Sequence, residues 1–460
     1  MRYDVVMIGA GPGGYVGAIR MAQLGFKVAL IEEGTVGGVC LNWGCIPTKA
    51  LYSATKLVAK AKAAGTMGIE FAAPRIDISQ LSAWKQGVVA KLVDGIKVLL
   101  KSNGVTLIKA RARLDGSGRV ALSTGESIES ERVVLATGSS PAEIHGFSFS
   151  HPGIWSSTEA LALTDVPEKL LVIGAGVIGL ELATIYNRLG SAVTVIEMMP
   201  DILPGIDLDR RNLAVVKRAL TSQRIAVHVD TGASSVETAD DGVVVHTQGE
   251  KSFEASRALV AVGRRPNSEE LGLETVGIEP DRRDFIPVNE NLQTDAPGVY
   301  AIGDLIGGPM LAHKASAEAV KLAAFFAGER VPLDYDMIPQ AIFTDPEVAC
   351  VGLSEKRAKE AGYEVVAGRF PYAALGKAQG MGETEGFFQV VAEAKSGRLL
   401  GAQIVGVEAS DLISEAAIAV QNGLSLSVIA DAIHPHPTLP EGLKEAAENA
   451  LGRAIHTANR

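Results

Sequence analysis

The chain has 460 residues, enough for about three domains at roughly 100–200 residues each, and 47% hydrophobic with 21% charged residues excludes a disordered polymer. Its 43 basic and 53 acidic side chains leave a net charge of −10 without any Lys/Arg-rich run, which argues against nucleic acid and anionic membrane surfaces as partners. No stretch of about 18 residues is continuously apolar, so no membrane-spanning helix is expected.

The first predicted element is a strand, Tyr3-Asp4-Val5-Val6-Met7-Ile8. It begins too early to leave room for a signal or transit peptide, so a cytoplasmic location is expected. A glycine turn follows, Gly9-Ala10-Gly11-Pro12-Gly13-Gly14, then a helix of about three turns ending at Leu24-Gly25 and a second apolar strand ending in Ile31-Glu32. This context makes a G-x-G-x-x-G informative. The first glycine turns tightly, the second admits a pyrophosphate to the backbone, the third lets helix and strand pack, and the terminal Glu accepts from a ribose diol.

Next comes Gly37-Gly38-Val39-Cys40-Leu41-Asn42-Trp43-Gly44-Cys45-Ile46-Pro47-Thr48-Lys49. Three cysteines in so long a chain cannot form a disulfide framework, and a close pair in a reducing compartment more often does redox chemistry or binds metal. Zinc would need further ligands, and neither a second Cys pair nor an H-x3-H supplies them, so no metal is expected. The C-x4-C spacing can close into a small-ring disulfide, and a helix start favours the thiolate.

The strand-glycine-helix-strand pattern then recurs. Ile8-Gly9-Ala10-Gly11 matches Ile173-Gly174-Ala175-Gly176, Gly14 matches Gly179 beyond Val177 and Ile178, and Glu32 matches Glu197. Two such units suggest two different dinucleotides. Glu197 precedes Met198-Met199-Pro200 with no arginine and would repel a 2′-phosphate, so the second unit should prefer NAD to NADP.

Together these residues resemble the pyridine nucleotide-disulfide oxidoreductases, whose signature is G-G-x-C-x-N-x-G-C-x-P-S-K. The resemblance implies an α/β fold with two Rossmann-like dinucleotide-binding domains, for FAD and NAD, plus a C-terminal α+β dimerisation domain. It implies a redox-active Cys40–Cys45 disulfide beside a tightly bound FAD held by Gly9, Gly11, Pro12, Gly13, Gly14, Glu32, Gly37, Gly38, Val39, Gly44 and Lys49. Later segments extend the likeness in order: Ala136-Thr137-Gly138-Ser139, Arg264 of Gly263-Arg264-Arg265-Pro266-Asn267, Gly303-Asp304, and Met310-Leu311-Ala312-His313-Lys314. One of Ala110 and Ala112, with Ala112 preferred, matches a backbone contact to the FAD adenine. NAD would meet Gly174, Ala175, Gly176, Val177, Ile178, Gly179, Glu181, Glu197 and Gly263, while Lys49 and Glu181 match an ion pair near the flavin. Val39 and Thr48 depart from the usual Thr and Ser, and Ala374-Leu375-Gly376-Lys377-Ala378 departs from the usual interface sequence.

The last motif is His434-Pro435-His436-Pro437-Thr438-Leu439-Pro440-Glu441. Prolines restrict the backbone around His436, which suits a base that must be held in place, and Glu441 can orient its imidazole. The segment resembles the ending of the dihydrolipoamide-oxidising members of the family, the E3 component of 2-oxo acid dehydrogenase complexes. That implies a homodimer whose active sites are completed across the interface by His436, with His434 as local structure. It implies as partners an E2 acyltransferase subunit and its lipoyl domains. The rival readings are a glutathione- or mercuric-reductase-like enzyme and a non-catalytic NAD-binding assembly subunit. Arginines for NADP after the second unit and a C-terminal Cys pair are both missing, while Cys40, Cys45, Lys49 and His436 are all present. The expected map is FAD binding in 1–142, the NAD insert in 143–268, a return to the FAD domain in 269–336 and the interface domain in 337–460.

Overall fold

The computed structural model describes residues 1–72, 74–249 and 251–459, so the final residue of the expected interface segment lies outside the described residues. The chain divides into two compact units. One comprises Met1–Ile144, Trp155–Asp165 and Val262–Tyr335, and the other His145–Ile154, Val166–Ala261 and Asp336–Arg460.

The first unit is built on a parallel sheet in the order Thr106–Lys109, Val28–Glu32, Arg2–Ile8, Ser127–Leu135. The two central strands, Arg2–Ile8 and Val28–Glu32, carry apolar runs because both their faces are covered, and Val5 to Ile8 and Val28 to Ile31 are all buried. On the edge away from Arg2–Ile8, strand Ser127–Leu135 serves two further neighbours. Its start carries the antiparallel hairpin Ala112–Leu114/Arg119–Leu122, and its end pairs with the late strand Val299–Ala301. Chain that leaves after residue 144 therefore returns to finish the same sheet. Helices Pro12–Gln23 and Ala312–Phe326 pack side by side, and a Cβ on Gly17 would stand 2.9 Å from Met7 Cε and 3.3 Å from Ala319 Cβ.

The second unit repeats the design with parallel strands in the order Ala226–His228, Ala192–Ile196, Lys169–Ile173, Arg257–Val260, and with helix Val177–Leu189 after the glycine turn. It also holds an antiparallel sheet ordered Gln340–Ile342, Val348–Gly352, Leu399–Val405, Phe387–Glu393, Val365–Pro371. Helices Ala409–Gln421 and Glu441–Ala450 lie on that sheet over a core in which Tyr372 and Phe388 stack at 4.8 Å. Gly442 brings the second helix flush onto the Phe388 ring, where a Cβ would stand only 2.2 Å from a ring carbon. Among the described residues no helix is long and apolar enough to cross a membrane.

Candidate active site

Cys40 lies in the short helix Gly38–Trp43 and Cys45 opens the 19-residue helix Cys45–Ala63, with Gly44 breaking the chain between them. The two sulfurs form a disulfide, with Cα atoms 4.6 Å apart. The approach depends on glycine: Gly37 has φ +97°, and a Cβ on Gly38 would stand 2.6 Å from Gly11 Cα. The cysteine segment is thereby seated directly on the first nucleotide loop. Asn42 donates to the carbonyls of Val36 and Gly38 at 3.1 and 2.9 Å, and the Thr48 hydroxyl donates to Gly44 O at 2.7 Å. Once reduced, Cys45 occupies the first position of a long helix, where unpaired amides favour the thiolate. Lys49 follows one turn later, half-buried. Cys350 is the contrast: it is free and buried, and burial with the Asp207 charge pushes its thiol up to about 12.

The first glycine loop divides its labour as the motif requires. Gly9 has φ +99°, and a Cβ on Gly14 would stand 1.8 Å from Gly9 O, so the first and last glycines are demanded by the protein itself. Gly11 is different, because its Cβ would meet nothing closer than Gly38 Cα at 3.9 Å. The bare backbone there opens on the amides of helix Pro12–Gln23, a cradle that fits the pyrophosphate of a dinucleotide. Glu32 accepts from Ala10 N at 2.8 Å and from Gly34 N at 2.6 Å. Ala110 donates its amide to Glu32 O, whereas Ala112 starts the neighbouring hairpin.

Below this loop the segments 136–141 and 263–267 are fastened together. Strands Ser139–Pro141 and Arg264–Pro266 pair antiparallel, and Ala142 N donates to Gly263 O at 3.0 Å. Asn267 accepts from Thr137 and Ser140 side chains at 2.8 and 2.7 Å, through its backbone and side-chain oxygens respectively. Arg264 donates to Ser139 Oγ and O at 2.7 and 2.6 Å, and Ser139 in turn donates to Asp304 Oδ2 at 2.5 Å. Asp304 rides on the turn Gly303–Ile306, and a buried pair supports that turn. Lys314 Nζ donates to the carbonyls of Gly303 and Gly307 at 2.8 and 2.7 Å and lies 3.2 Å from Glu318 Oε1; Glu318 accepts from Gly303 N at 2.7 Å and Tyr335 OH at 2.8 Å. Met310 and Leu311 lead into helix Ala312–Phe326, where His313 is exposed.

In the second unit the copied loop repeats these relations. Gly174 has φ +106°, a Cβ on Gly179 would stand 2.0 Å from Gly174 O, and one on Gly176 would meet nothing within 4 Å. Glu197 accepts from Ala175 N at 2.7 Å and Met199 N at 2.8 Å, the counterpart of Glu32. Val177 and Ile178 begin the helix, and Glu181 within it is buried and accepts from Phe343 N at 3.0 Å.

Near the C-terminus, His436 Nδ1 lies 2.8 Å from Glu441 Oε1, and Glu441 Oε2 accepts from Thr438 N at 2.7 Å. Glu441 opens the helix that Gly442 seats on Phe388, so the sheet core fixes the carboxylate. Burial raises its pKa, but the Thr438 amide and His436 outweigh that and hold it below the ordinary value. The His436 side chain is 77% exposed, leaving Nε2 free to meet a reactant.

Glu318 and Tyr335 were missed by the sequence reading, and Asn267 was read there only as the end of the Gly263–Asn267 motif, with no role of its own. A signal existed for Glu318, four residues after Lys314 on one helix face, but such spacing is commonest on exposed surfaces. Among the described residues, no group of three His, Cys, Asp or Glu is placed to hold a metal ion.

A half-buried disulfide packed on one dinucleotide loop, with a second loop of identical design elsewhere in the chain, defines a disulfide oxidoreductase that draws on two nucleotide cofactors. The chain belongs to the pyridine nucleotide-disulphide oxidoreductase family: residues 3–319 match the family description, and residues 338–447 match its dimerisation domain. It is 46% identical over 468 residues to a dihydrolipoyl dehydrogenase of Haloferax volcanii, covering 99% of this chain and 98% of the relative. Among solved structures, LpdA of Mycobacterium tuberculosis superposes with a TM-score of 0.91 at 27% identity, covering 97% of this chain and 99% of that one. The HOCl-induced flavoprotein disulfide reductase RclA of Escherichia coli gives 0.87 at 26% identity, covering 97% and 99%.

Proposed function

We propose that this chain oxidises protein-bound dihydrolipoyl groups to lipoyl groups and reduces NAD+ to NADH, working as an FAD-containing homodimer. The observation that carries the reading is the Cys40–Cys45 disulfide seated on the first glycine loop. The substrate class is supported by the dihydrolipoyl dehydrogenase likeness over nearly the whole length, where the reductase folds match at little more than half that identity.

The cradle residues Gly9, Gly11, Gly14 and Glu32 would hold FAD with Asp304, and the loop Gly174–Gly179 with Glu197 would hold NAD. When bound, FAD supplies the two-electron transfer between a dithiol and a nicotinamide. The protein's own part is proton and thiol chemistry. His436 of one protomer, its Nδ1 fixed by Glu441, accepts a proton at Nε2 from a dihydrolipoyl thiol presented to the other protomer. The resulting thiolate attacks Cys40, the Cys40–Cys45 bond breaks, and Cys45 leaves as a thiolate favoured by its helix start. The second substrate thiol then attacks the mixed disulfide, releasing the oxidised lipoyl group and leaving both cysteines reduced. Substrate has lost two electrons and the enzyme pair has gained them. Lys49 would place a positive charge one helical turn from Cys45, and Glu181 would place a buried carboxylate on the helix that follows the second loop.

Within this reading, segments 1–142 and 269–336 form the FAD domain, 143–268 the NAD domain and 337–460 the dimer interface. An E2 acyltransferase and its lipoyl domains are the partners it calls for, and a cytoplasmic location agrees with the free, buried Cys350. The test is turnover by purified holoenzyme of dihydrolipoamide, glutathione disulfide and mercuric ion, each with NAD(H) and NADP(H). Rapid turnover of dihydrolipoamide with NAD+ is expected. Preferential reduction of glutathione disulfide by NADPH would overturn the proposal.

A further inference from the structure

The dihydrolipoyl reading assigns work to one of the two histidines in the His434-Pro435-His436-Pro437 segment. The other is built into the protein at least as carefully. His434 Nε2 lies 3.0 Å from Glu415 Oε1 and Nδ1 lies 3.2 Å from Ala432 O, so both edges of the ring face an oxygen acceptor and the ring cannot turn freely. Its side chain is 8% exposed, against 77% for His436 two residues on.

The surrounding backbone explains why such a fixture matters. Pro435 and Pro437 have no N–H to give, so side chains must take over the anchoring that backbone amides ordinarily provide. After His436 the anchors are Glu441, reaching both His436 and Thr438 N, and the Thr438 hydroxyl, which donates to Pro435 O at 2.7 Å. Before His436 the anchor is His434, tied to Glu415 on helix Ala409–Gln421, whose opposite face is buried through Ile413, Ala416, Ala417 and Val420. His436 thus hangs between two carboxylates on two different helices.

We infer that His434 and Glu415 form a positioning dyad that fixes the approach of the His436 imidazole to its substrate. This rests on the dihydrolipoyl reading and deepens it. Glu441 orients the ring of His436, whereas His434 and Glu415 fix the place from which that ring is presented. Misplacing a catalytic group by about 1 Å costs on the order of 100-fold, and loss of one outer support typically costs about 10- to 100-fold.

The experiment uses holoenzyme carrying His434→Ala, Glu415→Ala, both together, or Glu415→Gln, which keeps an acceptor oxygen for His434. Two rates are measured: dihydrolipoamide oxidation by NAD+, which uses His436, and NADH-driven reduction of ferricyanide, which needs no base for a thiol. Each alanine variant is expected to lower kcat for dihydrolipoamide by about 10-fold or more with little change in KM. The double variant should be no worse than the more damaged single one, and Glu415→Gln should recover most of the loss. Ferricyanide reduction, which bypasses His436, should stay within about twofold of wild type. Alanine variants with wild-type kcat would overturn the inference, as would parallel loss of both rates, which indicates damage to the fold. If the wild-type holoenzyme itself does not oxidise dihydrolipoamide, the underlying functional reading fails instead.

Discussion

Replacing Lys314 with Met tests whether the buried pair beneath Asp304 supports the cofactor cradle. The substitution preserves most of the side-chain volume while removing one charge and three polar contacts, to Gly303 O, Gly307 O and Glu318. Glu318 is left with its backbone and tyrosine donors but without its cation, in a site where both side chains are fully buried. Breaking a buried pair by removing one partner costs about 3–5 kcal/mol. The loss should depend on pH with a definite sign. Burial already raises the Glu318 carboxyl above its ordinary value, with Lys314 the main opposing influence, so the variant's carboxyl should rise further. A carboxyl raised in the folded state favours folding most while protonated, and that contribution is lost as pH climbs from the unfolded value through the folded one. Lys314→Met should therefore lie closest to wild type near pH 5 and fall furthest behind near pH 8. Urea unfolding of both proteins at the two pH values, with FAD release followed by flavin fluorescence, measures it. Equal stability at pH 8, or a larger deficit at pH 5 than at pH 8, would refute the reasoning.

Three further outcomes are expected. Cys45→Ser should abolish dihydrolipoamide oxidation while leaving the absorbance of bound flavin, because the residue carries the thiol exchange; near wild-type turnover would exclude the disulfide as the redox centre. His436→Gln should lower the same rate by at least about 100-fold without weakening NADH binding, read by steady-state kinetics and isothermal titration. Gly179→Ala should weaken NADH binding strongly, since its Cβ would be forced to within 2.0 Å of Gly174 O and the loop must shift to admit it. FAD content, which the proposed function assigns to the other loop, should not change.

The glycine loops were legible in the sequence because their demands are steric and local: Gly9 and Gly174 need a left-handed backbone, and Gly14 and Gly179 need the absence of a Cβ. The strands beside them were legible too, since parallel strands covered on both faces spell uninterrupted apolar runs. What could not be read were contacts whose partner is a backbone group or a distant side chain. Glu32 and Glu197 were assigned to ribose, and nothing in their identity says that each also grips one amide of its glycine loop and one amide two residues downstream of itself. Asn267 meets Thr137 across 130 residues, a pairing that no local pattern encodes. Lys314 and Glu318 have the spacing of an exposed helix pair, and only the packing of that helix face into the unit makes them interior. Glu415 has no motif of its own, and becomes meaningful only once His434 is seen against it.

The grip of Glu197 on Ala175 N and Met199 N bears on how nucleotide preference can change. A chain recruited to work with NADPH must shed the negative charge that repels a 2′-phosphate, and the obvious route is to replace this glutamate. The same replacement unfastens the phosphate-binding turn from the strand that carries it. Under the proposed function, selectivity and loop rigidity rest on one carboxylate, so a switch of coenzyme would require a second substitution that restores an acceptor for the two amides. Single changes at this position should yield an enzyme poor with either coenzyme, and laboratory evolution toward NADPH should be expected to move through paired substitutions around residues 197–199.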